Sequence, residues 1–431
     1  MARKSSIKNL DLNDRLVLSK YFLSLIGEDS ISKIGNDFKD DSREVYDEDN
    51  ISYYYYHLLP KFSKYSNISK DKLLEYDQNL YRHVKRIGEK RGGIKLKYFQ
   101  YLALLFTEIF LDKYFFDTEN FINELNQVLN EYNLENPQQP FIEYTKENIG
   151  RIAYMCATGS GKTFIMHINI LQFQHYYKKA KKINPDFEIN RYIVLTPNEG
   201  LSNQHAEEME LSNIPYELFH NDFLYNEDAV VIIDINKLKE EGKIKTVSVD
   251  SFMKNNVLFV DEGHKGLGGE VWLDYRNRLS EEGFVFEYSA TFKQALKGEK
   301  TKKDEESIID IYGKSIIIDY SYKYFYNDMY GKEYRIYNLE EDENEKENIL
   351  YLTGCLLTYY QQLKLFNVYS KEYDPYNLEK PLLVCVGNSV NKRSNLTKGE
   401  KEVISDVQKI LVFIDGFTSN YHHIVRSRPW Q

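Results

Sequence analysis

Residues 151–163 read Arg-Ile-Ala-Tyr-Met-Cys-Ala-Thr-Gly-Ser-Gly-Lys-Thr, a short apolar run that leads into a glycine-rich loop. Gly159 and Gly161 permit backbone torsions that a side chain would forbid, so that successive N–H groups can converge on a phosphate. Lys162 supplies a positive charge, and the hydroxyl of Thr163 is a ligand for Mg²⁺. We therefore predict that nucleotide phosphates bind to Thr158, Gly159, Ser160, Gly161, Lys162 and Thr163.

Apolar runs and helix-like segments alternate along the chain after this loop. Cys156 stands where the strict phosphate-loop pattern has its first glycine, but the loop follows a predicted strand and precedes a predicted helix, which is the context that the pattern requires. Strands that alternate with helices indicate a parallel sheet with both faces covered. The predicted fold class is therefore α/β, with strands at 151–156, 192–196, 229–233, 257–260 and 284–288.

The region before the loop is predicted to be mostly helical. Apolar residues recur at helical spacing from Leu73 to Ile87, after an N-cap candidate at Ser69, and Gly88 ends that helix. A second helix at 98–116 is apolar on most faces, so we expect it to be buried. We place an N-terminal helical region at 1–92 and the phosphate-loop domain at 93–335.

The region 336–431 is predicted to begin a second α/β domain. A helix at 349–366 follows an acidic run, and an apolar strand is expected at 380–386. After that strand the sequence has room for one helix, at 406–417. We therefore expect this second domain to be incomplete.

An acidic pair follows the predicted strand at 257–260, in the sequence Asp261-Glu-Gly-His264. Carboxylates at the carboxyl end of a strand lie where ligands bind in open parallel sheets. Asp261 is predicted to hold Mg²⁺ through water, and Glu262 to orient or deprotonate an attacking water molecule. We expect His264 to link this site to neighbouring groups.

Two further polar segments follow predicted strands. Ser289-Ala-Thr291 fits a hydroxyl relay between a nucleotide site and a nucleic-acid track. Thr196-Pro197 ends another strand, with Gln204 in the helix beyond it. Small polar groups beside a helix N-terminus suit a phosphate backbone, so we predict nucleic-acid contacts at Thr196, Pro197 and Gln204.

Taken together, these motifs resemble those of superfamily-two helicases and translocases of the DExH and DEAD-box type. More narrowly, they are similar to the motor of type III restriction subunits and to related proteins of bacteria and their phages. The resemblance covers about residues 95–415. Its motifs lie, in chain order, at 156–163, 196–204, 246–251, 261–264, 289–291 and 383–388.

The resemblance implies a P-loop RecA-like domain, an incomplete second one, and an ATP-dependent DNA helicase or translocase that uses Mg²⁺. It also implies that Gln100, ahead of the phosphate loop, reads the adenine base. A modification or nuclease subunit is the implied protein partner, and the cytoplasm is the expected location. RNA is a variant of the implied substrate, because strand contacts in this fold go largely to the backbone.

One motif of the family has no counterpart in this sequence. The family's second domain carries Gln-x-x-Gly-Arg-x-x-Arg, whose arginines reach the γ-phosphate, whereas Arg426 and Arg428 here lack the glutamine and the glycine. An arginine finger is worth about 10³–10⁵ in rate. The sequence therefore predicts a chain that binds ATP but hydrolyses it poorly, and a truncated or split motor.

Two other classes of function stay open. A nucleotide-gated DNA-binding or scaffold protein would bind ATP without turnover, which the missing arginine motif favours. A regulatory P-loop ATPase with protein partners would show turnover that DNA does not change, and the net charge of −10 mildly favours it. This charge does not exclude DNA, because affinity depends on local basic residues such as those between Arg82 and Lys97.

The composition is that of a globular protein, with 42% hydrophobic and 15% aromatic residues. No segment has the length and apolarity of a membrane span, and the polar N-terminus lacks the apolar core of a secretion signal. We therefore expect no membrane partner. The three isolated cysteines indicate neither a disulfide framework nor a zinc site.

Overall fold

The computed structural model describes residues 11–38, 45–219, 226, 228–238, 252–262, 270–292, 307–331, 333, 345–374, 378–385 and 406–419. The chain divides into two compact units, residues 1–332 and 333–431. The domain boundaries expected from the sequence after residues 92 and 335 stay predictions.

One seven-stranded sheet forms the centre of the first unit. Its strands are β1 Arg151–Cys156, β2 Arg191–Thr196, β3 Tyr216–Leu218, β4 Val230–Asp234, β5 Asn256–Asp261, β6 Phe284–Ser289 and β7 Ile316–Tyr320. The order across the sheet is β3-β4-β2-β5-β6-β1-β7, and every neighbouring pair runs parallel. The predicted α/β class with a parallel sheet is confirmed.

The strands that carry the sequence motifs are adjacent in this order. β2, β5, β6 and β1 lie side by side, and the register pairs Asp261 of β5 with Tyr288 of β6. Because parallel strands end at the same edge of a sheet, the loops that follow these four strands lie along one edge. This edge is where a ligand site is expected.

The helices account for most of the remaining described residues. Before the sheet they are α1 Val17–Ser24, α2 Ile31–Phe38, α3 Tyr53–Tyr65, α4 Lys70–Gly88, α5 Tyr98–Phe116 and α6 Thr118–Glu135. Between and after the strands they are α7 Lys162–Ile183, α8 Glu199–Leu211, α9 Glu270–Leu279, α10 Ile308–Ser315 and α11 Tyr322–Asn327. In the residues that the structure describes, no helix combines the length and apolarity needed to cross a membrane.

The predicted helix signals in the N-terminal region are confirmed. The side chain of Ser69 accepts a hydrogen bond from the backbone N–H of Lys72, and α4 ends at Gly88. α5 is buried at every residue from Tyr98 to Leu111, as its apolar composition indicated. A helix without a polar face must be covered on all sides, and α5 lies in the same apolar core as α7 and one face of the sheet.

Side chains alternate between two apolar cores along the central strands. In β1, Ile152 and Tyr154 belong to the core that includes α5 and α7, whereas Ala153 and Met155 belong to a core on the opposite face. This alternation follows from the two-residue period of a strand. Both faces of the sheet are therefore covered, as an all-parallel sheet requires.

A buried carboxylate, Glu287 of β6, fixes one of the motif-bearing strands. Arg151 Nη1 donates to its Oε1 at 2.6 Å, and Arg276 Nη1 and Tyr312 Oη donate to its Oε2 at 3.1 and 2.6 Å. A buried charge of this kind is tolerated only when it is paired. These bonds fasten β6 to α9 and α10, two residues before Ser289.

The second unit is described only as helices and one irregular segment. Its helices are α12 Glu345–Val368, α13 Ser370–Tyr373 and α14 Asp406–Ser419. The strand predicted at 380–386 is not formed over 380–385, where five of six residues are exposed. A strand needs a neighbour to pair its backbone groups, and the described residues of this unit include no other strand.

A second buried carboxyl group, Glu108 in α5, joins three helices. Its Oε2 accepts hydrogen bonds from Asn79 Nδ2 at 3.1 Å and from Tyr176 Oη at 2.7 Å. Its Oε1 accepts one from Gln172 Nε2 at 2.8 Å. Burial raises the pKa of Glu108 to about 7, and the three hydrogen bonds limit that rise.

Replacing Glu108 with glutamine is expected to change how stability depends on pH. The native state keeps the Glu108 proton up to about pH 7, whereas an ordinary glutamate loses it near 4.5. Because the native state binds more protons in this window, the free energy of unfolding falls as pH rises, by roughly 3 kcal/mol. Glu108→Gln removes that fall. Urea unfolding of both proteins at pH 5 and pH 8 measures it, and an identical pH dependence would contradict the assignment.

Candidate active site

The phosphate loop lies between β1 and α7, at the edge where the motif-bearing strands end. Gly159 and Gly161 have φ angles of 83° and 86°, in the left-handed region that favours glycine. The backbone N–H of Ala157 donates to the carbonyl of Tyr320 at 2.9 Å, which fastens the loop to the end of β7. The loop is therefore a concave backbone turn at a helix N-terminus, a geometry that suits an anion.

Four of the predicted phosphate-binding side chains surround this turn. Thr158 is exposed, while Lys162 and Thr163 are half-buried in the first turn of α7. Lys162 Nζ lies 3.4 Å from the carbonyl of Cys156. The hydroxyl of Ser160 is buried and has no hydrogen-bond partner among the described residues. The turn thus presents cationic and polar groups that fit a phosphate chain.

Asp261, the last residue of β5, is held from two sides. Its Oδ1 accepts the backbone N–H of Glu262 at 3.0 Å, and its Oδ2 lies 3.1 Å from His205 Nε2. Burial raises the pKa of Asp261, but the hydrogen bond with His205 and the nearby positive charge of Lys162 help to outweigh burial, so the pKa lies below its ordinary value. The lysine of the phosphate loop therefore acts electrostatically on the carboxylate of the second motif.

Glu262 has an unusual backbone conformation. Its φ is 54°, in the left-handed region that costs a non-glycine residue about 1–3 kcal/mol. Such strain is found at functional sites, where the surrounding structure holds it in place. Glu262 is half-buried next to Asp261. Gly263 and His264, the rest of this motif, lie outside the described residues, so the role expected of His264 stays a prediction.

The third motif forms a local turn beside Asp261. Ser289 Oγ donates to the carbonyl of Thr291 at 2.9 Å and accepts the backbone N–H of the same residue at 3.1 Å. Since Asp261 pairs with Tyr288, Ser289 lies one residue further along the neighbouring strand. The structure thus brings Ser289 to the end of β5, and the predicted coupling role of Ser289 and Thr291 stays a prediction.

The predicted nucleic-acid contacts differ in accessibility. Thr196 is fully buried, and its hydroxyl shares a 2.7 Å hydrogen bond with the hydroxyl of Ser202. The Thr196 hydroxyl therefore serves the turn into α8 in this structure, and the nucleic-acid contact expected of Thr196 stays a prediction. Pro197 is half-buried and Gln204 is exposed, and both keep their predicted role.

Gln100 contacts the phosphate loop directly. Its Oε1 accepts the backbone N–H of Lys97 at 2.9 Å, and its Nε2 donates to the carbonyl of Ser160 at 2.8 Å. A Cβ added at Gly161 would lie 2.4 Å from the same Nε2. Gln100 thus connects the start of α5 with the loop, and its predicted reading of adenine stays a prediction.

The site contains one residue that the motifs did not indicate, His205 of α8. Its spacing from Ser202 and Met209, which are also buried, was the available signal, because residues three and four apart share a helix face. This spacing predicts that His205 lies on the buried face of the helix, but it does not predict which residue His205 contacts. Only the structure shows that His205 meets Asp261.

The basic stretch before the loop contacts α8. Arg86 Nη2 donates to the carbonyl of Asn213 at 2.8 Å, Lys90 Nζ to that of Glu210 at 2.8 Å, and Arg91 Nη2 to that of Glu208 at 3.0 Å. Cations at a helix C-terminus satisfy its last carbonyls and favour its dipole. Lys90 and Arg91 therefore hold the last turn of α8, and Arg86 holds the chain just after it, in the described structure.

Comparison with known proteins agrees with the site. Residues 122–294 match the family described as type III restriction enzyme, res subunit. The match contains the phosphate loop, Asp261, Glu262 and the segment 289–291, and it begins after Gln100. No curated protein matches the chain. The matched part is thus similar to the helicase-like ATPase domain of that family.

The position of Gln100 leads to a test of what it recognises. Gln100→Leu removes the hydrogen bond to the Ser160 carbonyl, so the loop loses an anchor worth about 1 kcal/mol. If Gln100 acts through this anchor alone, the affinities for ATP and GTP should fall together, by about fivefold. Titration calorimetry with both nucleotides measures this, with Gln127→Leu on the exposed side of α6 as the control. A loss confined to ATP would instead indicate adenine reading.

Proposed function

We propose that this chain is an ATP-dependent DNA helicase or translocase motor of a restriction or phage-defence system. The observation that carries the proposal is the placement of the phosphate loop, which follows β1, and of Asp261, which ends β5, along the same edge of the parallel sheet. The matched family at 122–294 supports the same class of protein.

Each residue of the site has a separate proposed role in ATP hydrolysis. Backbone N–H groups of the loop and Lys162 would bind the phosphates of ATP. Thr163 would supply an oxygen ligand to Mg²⁺, Asp261 would hold the ion through water, and the ion would neutralise phosphate charge. Glu262 accepts the proton of the water that attacks the γ-phosphate, leaving ADP and inorganic phosphate.

The nucleic-acid strand is proposed to pass the same edge of the sheet, at Pro197 and Gln204. Both residues follow β2, and β2 is paired with β5. A nucleic-acid strand bound at these residues would therefore lie close to Asp261, at the end of β5. Ser289 and Thr291, after β6, are proposed to couple the two sites. Contacts at such positions go to the phosphate backbone, which DNA and RNA share. An experiment is therefore needed to decide which of the two is the substrate. A modification or nuclease subunit is the proposed protein partner.

Two substitutions are expected to separate binding from hydrolysis. Lys162→Ala removes the cation at the phosphates and should abolish ATP binding and turnover together. Glu262→Gln keeps the shape of the site but removes the base, so ATP should still bind while turnover falls by about 10²–10⁴. Phosphate release is measured with no nucleic acid, single-stranded DNA, double-stranded DNA and RNA, and ATP binding is measured by calorimetry.

The wild-type chain decides between the proposal and its alternatives in the same assay. Turnover that DNA stimulates, and that Lys162→Ala abolishes, supports a motor. ATP binding without turnover would replace the motor by a nucleotide-gated binding protein. Turnover that no nucleic acid changes would indicate an ATPase that acts on protein partners.

A further inference from the structure

We infer that His205 is a positioning residue, which fixes the Asp261 carboxylate in the orientation that a metal–nucleotide complex requires. The inference rests on the proposed function, because it concerns the same site. His205 lies on α8, outside the phosphate loop and the acidic motif, and 4% of it is exposed. Its Nε2 lies 3.1 Å from Asp261 Oδ2.

The two oxygens of Asp261 have different partners, which together define the plane of the carboxylate. Oδ1 accepts the backbone N–H of Glu262, a contact within the same turn of chain. Oδ2 meets His205, which belongs to a different element. Without the imidazole, the carboxylate plane would be free to rotate about the Cβ–Cγ bond. His205 is therefore the group that holds Asp261 from outside its own strand.

The direction of this hydrogen bond follows from the charge of the carboxyl group. Asp261 is ionised at neutral pH, and a carboxylate only accepts hydrogen bonds, so His205 Nε2 carries the hydrogen. The other ring nitrogen, Nδ1, is buried and has no hydrogen-bond partner among the described residues. The contact with Asp261 is thus the one that orients the ring in the described structure.

α8 is fastened at both ends, so it holds His205 in a fixed place. At its start, the Asn198 side chain accepts the backbone N–H of Leu201 at 2.9 Å. At its end, Lys90 and Arg91 bind the carbonyls of the last turn. A helix capped in this way resists fraying. The backbone of His205 is therefore held in place and its side chain is buried, which is what a positioning role requires.

The neighbouring residue on α8 gives the contact a second consequence. Gln204, a proposed contact of the nucleic-acid strand, is exposed, while His205 is buried against Asp261. Of these two consecutive residues, Gln204 thus faces the proposed nucleic-acid strand and His205 faces the proposed metal ligand, Asp261. A nucleic-acid strand at Gln204 would therefore lie one residue along the chain from the side chain that holds Asp261.

The expected effect of losing His205 is specific to the metal. Groups that orient a metal ligand typically contribute about 10- to 100-fold to metal affinity. We therefore expect His205→Asn to weaken ATP binding in the presence of Mg²⁺ by about tenfold. Binding in the presence of EDTA should stay unchanged, because the phosphate loop and Lys162 are intact.

Three variants at this position separate positioning from packing. His205→Gln places an amide N–H near the position of Nε2 and should keep most of the Mg²⁺ effect. His205→Asn has an amide that is too short to reach Asp261, and His205→Leu has no donor. His167→Gln is the matched control, because His167 is also fully buried and its hydrogen bond goes to Ser212, at 2.8 Å.

The experiment uses the full chain and a fluorescent ATP analogue, titrated with Mg²⁺ and with EDTA, and the melting temperature of each variant. A Mg²⁺-specific loss in His205→Asn that His205→Gln restores, and that His167→Gln lacks, supports the inference. Equal Mg²⁺ effects in wild type, His205→Gln and His205→Asn would overturn it. The glutamine and asparagine variants are both polar, so their comparison holds even if His205→Leu does not fold.

Failure of the inference is distinguishable from failure of the proposed function. If wild type binds the analogue and Lys162→Ala does not, the nucleotide site is real and the result at His205 stands by itself. If wild type shows no binding that depends on Lys162, the proposed function is overturned, and the inference falls with it.

Discussion

The parallel direction of all seven strands is the constraint on which the rest of the structure depends. Parallel strands need crossover connections, and each strand therefore ends at the same edge as its neighbours. In this sheet β2, β5, β6 and β1 are consecutive, so four loops that are far apart in the chain converge. Both faces must then be covered by apolar residues, which is why the central strands are buried along most of their length.

Buried polar side chains connect the helices to this edge. Gln100 links α5 to the phosphate loop, His205 links α8 to β5, and Glu287 links β6 to α9 and α10. Each of these polar groups is largely removed from water. Leaving one without its hydrogen bond would therefore cost more free energy than the formed hydrogen bond contributes to stability. The helices before the sheet therefore help to hold the site, although the sequence motifs lie almost entirely after them.

The sheet shows what a sequence pattern can and cannot indicate. The five strands predicted between residues 151 and 288 are apolar runs bounded by polar or glycine residues, and all five are present. β7 begins with three isoleucines, a signal that was available, whereas β3 is the tripeptide Tyr-Glu-Leu, which has no strand pattern and exists because it pairs with β4. The apolar run at 380–385 shows the reverse case, since composition without a partner strand does not make a strand.

The sequence by itself determined the strand–helix order, the phosphate loop with its two left-handed glycines, and the acidic pair at a strand end. These depend on local torsions and on short periodicities, which neighbouring residues specify. Only the tertiary structure decided that Thr196 turns inward, that Gln100 lies against the loop, and that His205 meets Asp261. Those facts are distances between residues far apart in the chain, and such distances are set by how the helices pack on the sheet and not by any local pattern.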